Sequence, residues 1–446
     1  MHRTLNNTRL RNSLISKVTR RVDEIQRKLV TATASKSFPF VHNEEFDLYI
    51  EDLTNLGLGI GRKVIDSGAS WVVMVPFVLP GERVRVKINH NYKTYSEASL
   101  LQVLTPSADR TTPRCKHFAT CGGCQYQHMS VSSQRSWKKS QVATAMSKIA
   151  GLREITVQET IGTPHEYYYR SKITPHYEKA ATADGNKVRV GFQQRNTRNI
   201  VDVEHCMVAS KPINAKYTHL RDLLMSSSSN DKYKEGPMLL RESNNGMVIT
   251  DGSKEVQQKV GDMDFRFQAR EFFQNNPYVL ELLVQHVLDK AVGHGCKHLV
   301  DTYCGSGLFA LSAAKHFQSV YGVEISTLSV EAAQSNAKRN YINHVKFVKG
   351  DAKTIFAKLN KVPPSETVVI VDPPRKGCDT SFMNQLLAFK PRKIVYISCE
   401  PTTQARDAKR IVQEGGYEIT DVTPFDMFPQ TRHIENVITF VLPLAN

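Results

Sequence analysis

Residues 299–311 read Leu-Val-Asp-Thr-Tyr-Cys-Gly-Ser-Gly-Leu-Phe-Ala-Leu, an apolar run that ends in an acid and is followed by two glycines. This pattern predicts a strand, a tight turn and the start of a helix, an arrangement that often holds a nucleotide. Gly305 and Gly307 would let the backbone approach a ligand closely, and Asp301 could accept from an ammonium or amide group. Ala310 replaces the third glycine of the dinucleotide fingerprint, which disfavours a nicotinamide cofactor. An ordinary glycine turn is the alternative interpretation.

Further acids follow later apolar runs. The run 319–323 ends at Glu324, about 20 residues after the turn, where an acid commonly binds ribose hydroxyls. Two more runs lead to Asp351 and to Asp372, and residues 393–397 lead to Cys399. Because the carboxyl ends of parallel strands meet at one edge, these residues predict a cofactor site there. The fold class predicted is α/β, a Rossmann-like sheet that is mostly parallel, with an antiparallel last strand over residues 437–442.

Five motifs follow one another along the chain: Phe272-Phe273-Gln274-Asn275-Asn276, residues 301–307, Asp372-Pro373-Pro374-Arg375, Ser398-Cys399-Glu400-Pro401 and His433-Ile434-Glu435. In this order they resemble the S-adenosylmethionine-dependent RNA 5-methyluridine methyltransferases, and the resemblance extends from about Asp47 to the end of the chain. Two positions depart from the family pattern: Glu400 stands in place of an Asn, and Leu308 replaces an Asn that some members carry.

The resemblance implies S-adenosylmethionine as cofactor and methyl transfer to carbon 5 of a uridine in RNA. That carbon is too weak a nucleophile on its own, so a thiolate must first add to carbon 6 of the ring. The resemblance implies Cys399 as this nucleophile and Glu435 as the base that removes the proton from carbon 5. A buried strand-end thiol and a surface acid are the alternatives for these two residues. The predicted cofactor contacts are Gln274, Tyr303, Glu324, Asp372, Asp301, Gly305, Gly307 and Asp351.

Four cysteines form a second group with metal-binding character. Cys115, Cys121 and Cys124 lie close together, and Cys206 follows far downstream. This spacing departs from the two close pairs of zinc ribbons, and it matches the cluster motif of several family members, which implies a 4Fe-4S centre. Zinc and disulfides are the alternatives. The remaining cysteines apart from Cys399 are expected to be unliganded: Cys296, Cys304 and Cys378.

Composition bounds the class of partner. The 446 residues include 59 Lys and Arg against 43 Asp and Glu, giving a formal net charge of +16. Such a charge attracts polyanions, so RNA is the expected partner, although a solubilising surface is the alternative. No run reaches the ~18 apolar residues of a membrane span, and we expect no membrane partner and a monomer.

Four segments are predicted along the chain. Residues 1–40 form a basic leader without an acid before Asp23, which resembles a mitochondrial transit peptide or a basic RNA-binding arm. The expected location is therefore mitochondrial or cytoplasmic. Residues 42–106 alternate short strand-like runs with turns and resemble a TRAM barrel, an RNA-binding fold of the oligonucleotide-binding type. Residues 107–265 form an RNA-facing domain with the cysteines, and residues 266–446 form the methyltransferase domain.

The barrel and the central domain both carry candidate RNA contacts. In the barrel these are Arg83, Arg85, Lys87 and Lys93, with Tyr92 and Tyr95 as stacking faces. In the central domain, Arg170 and Lys172 alternate on a predicted strand and could contact phosphates.

The expected substrate is the T-loop uridine, position 54, of tRNA, because the basic start of the chain indicates a eukaryotic organelle and every translating compartment presents that loop. Ribosomal RNA is the alternative substrate for the same chemistry. A non-catalytic RNA-binding or tRNA-folding protein is the alternative of another class, which Cys399 and Glu435 disfavour. A Rossmann-type oxidoreductase is disfavoured by the absent third glycine.

Overall fold

The structure is a computed structural model that describes residues 38–66, 68–182, 185–226, 235–350, 355–356 and 362–444. Nearly all of the predicted basic leader and the predicted cofactor contact Asp351 lie outside the described residues. The same holds for residues 227–230 of the polar run that begins at Ser226, for which the sequence predicts an exposed loop. Among the described helices, none is long and apolar enough to cross a lipid bilayer.

The barrel is closed by five strands in the order β1-β2-β3-β5-β4. In β4, Val84, Val86 and Ile88 are fully buried and alternate with the exposed Arg83 and Arg85 and the half-buried Lys87, as expected for a strand with one face in a core. The predicted TRAM-type barrel is therefore confirmed. Its strands are β1 Glu45–Leu53, β2 Leu58–Val64, β3 Ser70–Pro76, β4 Arg83–Asn91 and β5 Tyr95–Thr105.

Two of the predicted phosphate contacts in the barrel are paired within the barrel itself. Arg83 and Arg85 both form ion pairs with Asp47 on the neighbouring strand β1, at 3.1 and 2.7 Å. The rings of Tyr92 and Tyr95 stack on each other with centroids 4.5 Å apart. An RNA strand that used these arginines would therefore have to share them with an acid.

The central region contains two helices and several short strands. Helix α1, Val131–Ala145, continues as one π-helical turn over Met146–Ala150. Arg170 lies outside the strand predicted for it, because β6 covers only Lys172–Ile173. The other elements are β7 His176–Thr182, β8 Gly185–Gln193, β9 Ile200–Asp202, α2 Lys211–Ser226, β10 Gly236–Pro237, β11 Leu240–Glu242, β12 Val248–Ile249, β13 Glu255–Val260 and β14 Met263–Gln268.

The C-terminal region is a seven-stranded sheet flanked by helices. Strands β18 and β19 are buried along their whole length, as expected for parallel strands covered on both faces. The elements are α3 Pro277–Ala291, β15 His298–Thr302, α4 Leu308–Ala313, β16 Ser319–Glu324, α5 Thr327–Arg339, β17 Val345–Lys349, β18 Thr367–Val371, α6 Thr380–Phe389, β19 Lys393–Ser398, α7 Pro401–Gln413, β20 Glu418–Phe425 and β21 Glu435–Val441.

The sheet order is β17-β16-β15-β18-β19-β21-β20, and the first five strands are parallel while β21 is antiparallel to both of its neighbours. The predicted Rossmann-like sheet with an antiparallel last strand is confirmed. The order changes direction at β15, which has β16 on one side and β18 on the other, and ligands bind at such points in open α/β sheets.

Candidate active site

The predicted nucleophile and base lie at the same edge of the sheet. Strands β19 and β21 pair with Ser398 opposite Asn436, so the residues one step further along, Cys399 and Glu435, are neighbours across the two strands. Cys399 is half-buried, whereas Glu435 is only 3% exposed. The antiparallel direction of β21 is what brings the start of this strand to the end of β19.

Burial is the main cause of the raised pKa values of Cys399, Glu435 and Asp372. Burial, together with the charges of Glu435 and Asp372, raises the pKa of the Cys399 thiol to about 12, although Arg375 lowers it through its charge and a hydrogen bond. Burial also raises the pKa of Glu435 well above its ordinary range, and that of Asp372 to about 7. A raised pKa keeps more of the carboxyl protonated but makes the carboxylate a stronger base once it is ionised, which suits proton abstraction.

Arg375 is the cation of this site, and the sequence assigned it no role. Its Nη2 donates to Nδ1 of His433 at 3.2 Å, and Thr403 Oγ1 donates to its carbonyl oxygen at 3.0 Å. Burial, followed by the charge of Arg375 and that of Arg432, lowers the pKa of His433 to about 3. His433 is therefore neutral at physiological pH and acts as an acceptor that orients the guanidinium.

The glycine turn after β15 has two different glycines. Gly305 has φ +53°, and no atom lies within 4 Å of the position that a Cβ would occupy. Gly307 has φ +91°, and a Cβ there would lie 3.0 Å from Phe347. The predicted close approach of a ligand thus fits Gly305, while Gly307 permits packing within the domain.

Asp301 joins the end of β15 to helix α4. It is fully buried, and its Oδ2 accepts from the Ala310 amide at 2.8 Å. Its Oδ1 has no hydrogen-bond partner among the described residues. Burial raises the pKa of this carboxyl well above its ordinary range. Asp301 therefore has a structural role with one oxygen, while the other is buried and has no partner among the described residues.

Glu324, the predicted ribose contact, is held in place partly by the glycine turn after β15. Its Oε2 accepts from the Gly305 amide at 3.1 Å, and its Oε1 accepts from the amides of Ile325 and Ser326 at 2.8 and 2.9 Å. Carboxylate oxygens have spare lone pairs, so this orientation is compatible with acceptance from ribose hydroxyls.

Of the two remaining predicted cofactor contacts, Tyr303 directly follows β15 and Gln274 lies shortly before helix α3. Gln274 is buried two residues before Asn276, whose side chain caps helix α3 by accepting from the Tyr278 and Val279 amides. Tyr303 has φ +62°, and its ring packs against Phe382 with centroids 5.4 Å apart.

The comparisons with known proteins agree with this geometry. The family model tRNA (Uracil-5-)-methyltransferase matches residues 241–441, and the TRAM domain model matches residues 39–101. A tRNA (uracil(54)-C(5))-methyltransferase of Schizosaccharomyces pombe is 39% identical over 92% of this chain and 81% of its own length. An uncharacterised RNA methyltransferase of Listeria innocua is 31% identical over 90% of this chain and 98% of its own length.

The chain belongs to the tRNA (uracil-5-)-methyltransferase family. It is an enzyme, as the sequence predicted, and the resemblance on which that prediction rested is confirmed. The fold comparison agrees: the crystal structure of the tRNA (uracil-54, C5)-methyltransferase of Pyrococcus abyssi, solved with S-adenosyl-L-homocysteine, has a TM-score of 0.67. It is 24% identical and covers 89% of this chain and 100% of its own.

In this methyltransferase the segment that leads to Glu435 is held by donors from three other parts of the chain, a feature that sequence reasoning missed. Four consecutive carbonyl oxygens, those of residues 427–430, each accept a hydrogen bond. The donors are, in order, the Asn276 side-chain amide at 2.9 Å, Lys138 Nζ at 3.2 Å, the Tyr169 hydroxyl at 2.9 Å, and the backbone amides of Gln125 and Tyr126 at 3.0 Å.

A buried ion pair anchors the start of this segment. Lys138 on α1 lies 2.6 Å from Asp426, and both side chains are fully buried. Burial lowers the pKa of Lys138, and the charge of Asp426 opposes that effect. Only the surrounding hydrogen bonds make such a pair tolerable. Helix α1 of the central region therefore takes part in building the catalytic edge.

The cysteine quartet surrounds one cavity of about 350 Å³, which also contacts Arg170 and Lys172. All four cysteines are free thiols, so the alternative of disulfides is not formed. Among the described residues, no group of three or more His, Cys, Asp or Glu is arranged to hold a metal ion. Burial, with added repulsion between the thiols, raises the pKa of Cys121 to about 11 and that of Cys124 to about 12.

Cys296, Cys304 and Cys378, which were predicted to be unliganded, do not line this cavity. His117 also lines the cavity, and its Nε2 is buried without a hydrogen-bond partner among the residues that the structure describes. An orphaned nitrogen beside four thiols indicates a space that is complete only with a further group.

Proposed function

We propose that this enzyme methylates carbon 5 of a uridine in tRNA, at position 54 of the T loop, through a covalent bond between Cys399 and the uracil ring. The observation that supports the chemistry best is the pairing of Cys399 with Glu435 at the edge of β19 and β21. The choice of tRNA rests on the S. pombe relative, which is 39% identical over nearly the whole chain and is named for that position.

The cofactor is S-adenosylmethionine, which supplies the methyl group to carbon 5 when bound. The residues present fit it: Gly305 leaves open space for a close approach, the Glu324 carboxylate is oriented by three amides, and the free oxygen of Asp301 can accept from an ammonium group. These assignments, with those of Gln274, Tyr303 and Asp372, are part of the proposal.

In the proposed reaction the Cys399 thiol loses its proton to solvent, and the thiolate sulfur forms a bond to carbon 6 of uracil. The electron pair of the 5,6 double bond moves into an enolate, so carbon 5 becomes nucleophilic. Arg375 stabilises the thiolate, because it is the cation that lowers the pKa of Cys399. After methylation, Glu435 takes the proton from carbon 5, the carbon–sulfur bond breaks, and the thiolate leaves.

A test of the substrate compares two RNAs with the same enzyme preparation. Enzyme and methyl-labelled cofactor would be incubated with unmodified tRNA and with ribosomal RNA fragments, and the labelled nucleotide would be mapped. We expect 5-methyluridine at position 54 of tRNA. Loss of label when that uridine is replaced by cytidine is the matched control, and label in ribosomal RNA alone would overturn the choice of tRNA.

We further propose that the quartet Cys115, Cys121, Cys124 and Cys206 holds a 4Fe-4S cluster. Four thiols around a cavity of about 350 Å³ supply the number and kind of ligands that such a cluster takes, and zinc is the alternative occupant. Arg170 and Lys172 at the cavity would offset the negative charge of the thiolates. Anaerobic purification should yield iron and acid-labile sulfide near four per chain.

The mitochondrial location stays a proposal that rests on the basic composition of residues 1–22. Attaching residues 1–40 to a fluorescent protein would test it. Import into mitochondria is expected, with the same segment carrying Arg-to-Glu changes as control, and a uniformly cytoplasmic signal would contradict it.

A further inference from the structure

A second cavity, of about 460 Å³, lies between the central region and the start of helix α3. At its rim the rings of His165 and Tyr278 stack with centroids 3.7 Å apart and an interplanar angle of 14°. Tyr278 is 42% exposed. Tyr167, Tyr168 and the buried Tyr169 line the same cavity, so five aromatic side chains surround one opening.

The deeper part of this cavity is polar. Ser171, Ser210 and Gln258 line it and are 5–7% exposed. Ser171 Oγ donates to the Asn275 carbonyl and the Gln258 side-chain amide donates to the Lys259 carbonyl, so what these two residues can offer the edge of a planar ligand is mainly their oxygen lone pairs. Lys211 adds a positive charge at the start of α2, and Glu242 adds an acceptor for an amino group. Aromatic faces with a few polar groups and both charges suit a nucleotide better than a purely apolar ligand.

The position of the cavity connects it to the active site. Tyr278 is four residues after Gln274, so their Cα atoms are at most about 14 Å apart along an extended chain. The Ser171 amide also donates to the Asn275 carbonyl at 2.8 Å, which joins the cavity wall to the motif that contains Gln274. A nucleotide near the target uridine is within reach of this opening.

Among RNA nucleotides, only unpaired ones offer a free face and edge. Proteins recognise single-stranded RNA by stacking splayed bases on aromatic rings and by hydrogen bonding to base edges. The strongly basic chain, at +16, favours the phosphates that accompany such a base. The same cavity would not accept a base inside a duplex.

We propose that this cavity, which we call the tyrosine cleft (Tyr167, Tyr168, Tyr278 and His165), binds one unpaired nucleotide of the RNA substrate, a neighbour of the target uridine. This inference rests on the proposed function, because it assigns a second contact on the same RNA. Stacking on the His165–Tyr278 pair supplies affinity, and the polar floor reads the base edge.

The test uses the full-length enzyme and unmodified tRNA. The double change His165→Ala, Tyr278→Ala should raise the dissociation constant for tRNA about ten- to hundredfold, the loss expected for one base–aromatic stack. Affinity for S-adenosylmethionine should stay within twofold of the wild type. Tyr278→Phe keeps the ring and should bind tRNA with the dissociation constant of the wild type. Tyr341→Ala, at an aromatic residue outside the cleft that is 91% exposed, should leave that constant unchanged as well.

A second readout identifies the occupant directly. Transfer RNA with 4-thiouridine at single T-loop positions would be irradiated with the enzyme, and we expect a cross-link to a peptide that contains Tyr278 from a nucleotide other than the target. Unchanged tRNA affinity in the double variant, with no such cross-link, would overturn the tyrosine cleft alone. A wild-type enzyme that binds tRNA without forming 5-methyluridine would instead overturn the proposed function.

Discussion

Two regions of this enzyme contain cysteines with a proposed role, Cys399 and the quartet, and burial raises thiol pKa values in both, yet the surroundings differ. Cys399 stands at a strand end with two acids and one guanidinium as neighbours. In the quartet the charged neighbours of Cys121 and Cys124 are the other cysteines of the group. A single thiol among acids and a cation suits reversible bond formation with a substrate, whereas several thiols around a cavity suit permanent ligation.

The comparison also concerns how the two regions are built. The Cys399 site depends on sheet register and on a segment whose four consecutive carbonyls are fixed by donors from elsewhere. The quartet depends on loops and on the close approach of residues 115–124 to Cys206. Loss of the group bound by the quartet should therefore disturb the Cys399 site less than loss of the hydrogen bonds that fix the carbonyls of residues 427–430.

The largest effect should follow from removing the base. Glu435→Gln keeps the size of the side chain but cannot take the proton from carbon 5, so turnover should fall about 10²- to 10⁴-fold. Addition and methylation should still occur, and the enzyme should accumulate as a covalent complex with natural tRNA. Gel mobility under denaturing conditions measures that complex. Normal turnover in this variant would assign the base to another residue.

The quartet should respond in metal content first. Cys124→Ser removes one of four proposed ligands, and iron and sulfide should fall from about four per chain to a small fraction of that value. Cys296→Ser, at a free cysteine outside the cavity, is the matched control and should keep both. Full iron and sulfide in the Cys124 variant would contradict the assignment.

The buried ion pair should show a smaller effect, on stability. Lys138→Met leaves the buried Asp426 with only the longer contact to Arg135, at 3.4 Å, and unfolding free energy should fall by about 3 kcal/mol. Lys139→Met, one residue further along α1, breaks only the exposed pair with Glu159 and should cost about 0–1 kcal/mol. Urea denaturation measures both, and equal losses in the two variants would show that the buried pair does not anchor the segment.

The smallest effect is a pH dependence. Because the pKa of Cys399 is about 12, the thiol is protonated at neutral pH, and its thiolate fraction grows about tenfold for each unit of rising pH below that value. The rate of adduct formation should rise with pH accordingly between about 7 and 9. Single-turnover kinetics measures this rate. A plateau across that range would mean that bound RNA lowers the thiol pKa or that another step limits the rate.

The sheet could be predicted from sequence because its strands are apolar runs that end in acids, as the run before Glu324 does. The hydrogen bonds that hold the catalytic segment could not be predicted, because every residue has the same backbone carbonyl and the sequence does not show which ones are bonded. The pairing of Lys138 with Asp426 could not be predicted either, because the two residues are far apart in the chain. Nor does sequence distinguish Gly305 from Gly307: both have positive φ, and only the packing of Phe347 shows which one faces open space. His433 is similar, because its neutral state depends on burial next to Arg375.

The central claim, that Cys399 bonds to the uracil ring, is tested most directly with tRNA that carries 5-fluorouracil at position 54. Fluorine takes the place of the proton that a base must remove from carbon 5. Because a base cannot remove fluorine, the bond to Cys399 cannot break, and wild-type enzyme with S-adenosylmethionine should be trapped on this RNA. Mass spectrometry should place the modified nucleotide on the peptide that contains Cys399, and Cys399→Ala should form no adduct while Cys378→Ala still does. A denaturant-resistant adduct in the Cys399 variant would contradict the account.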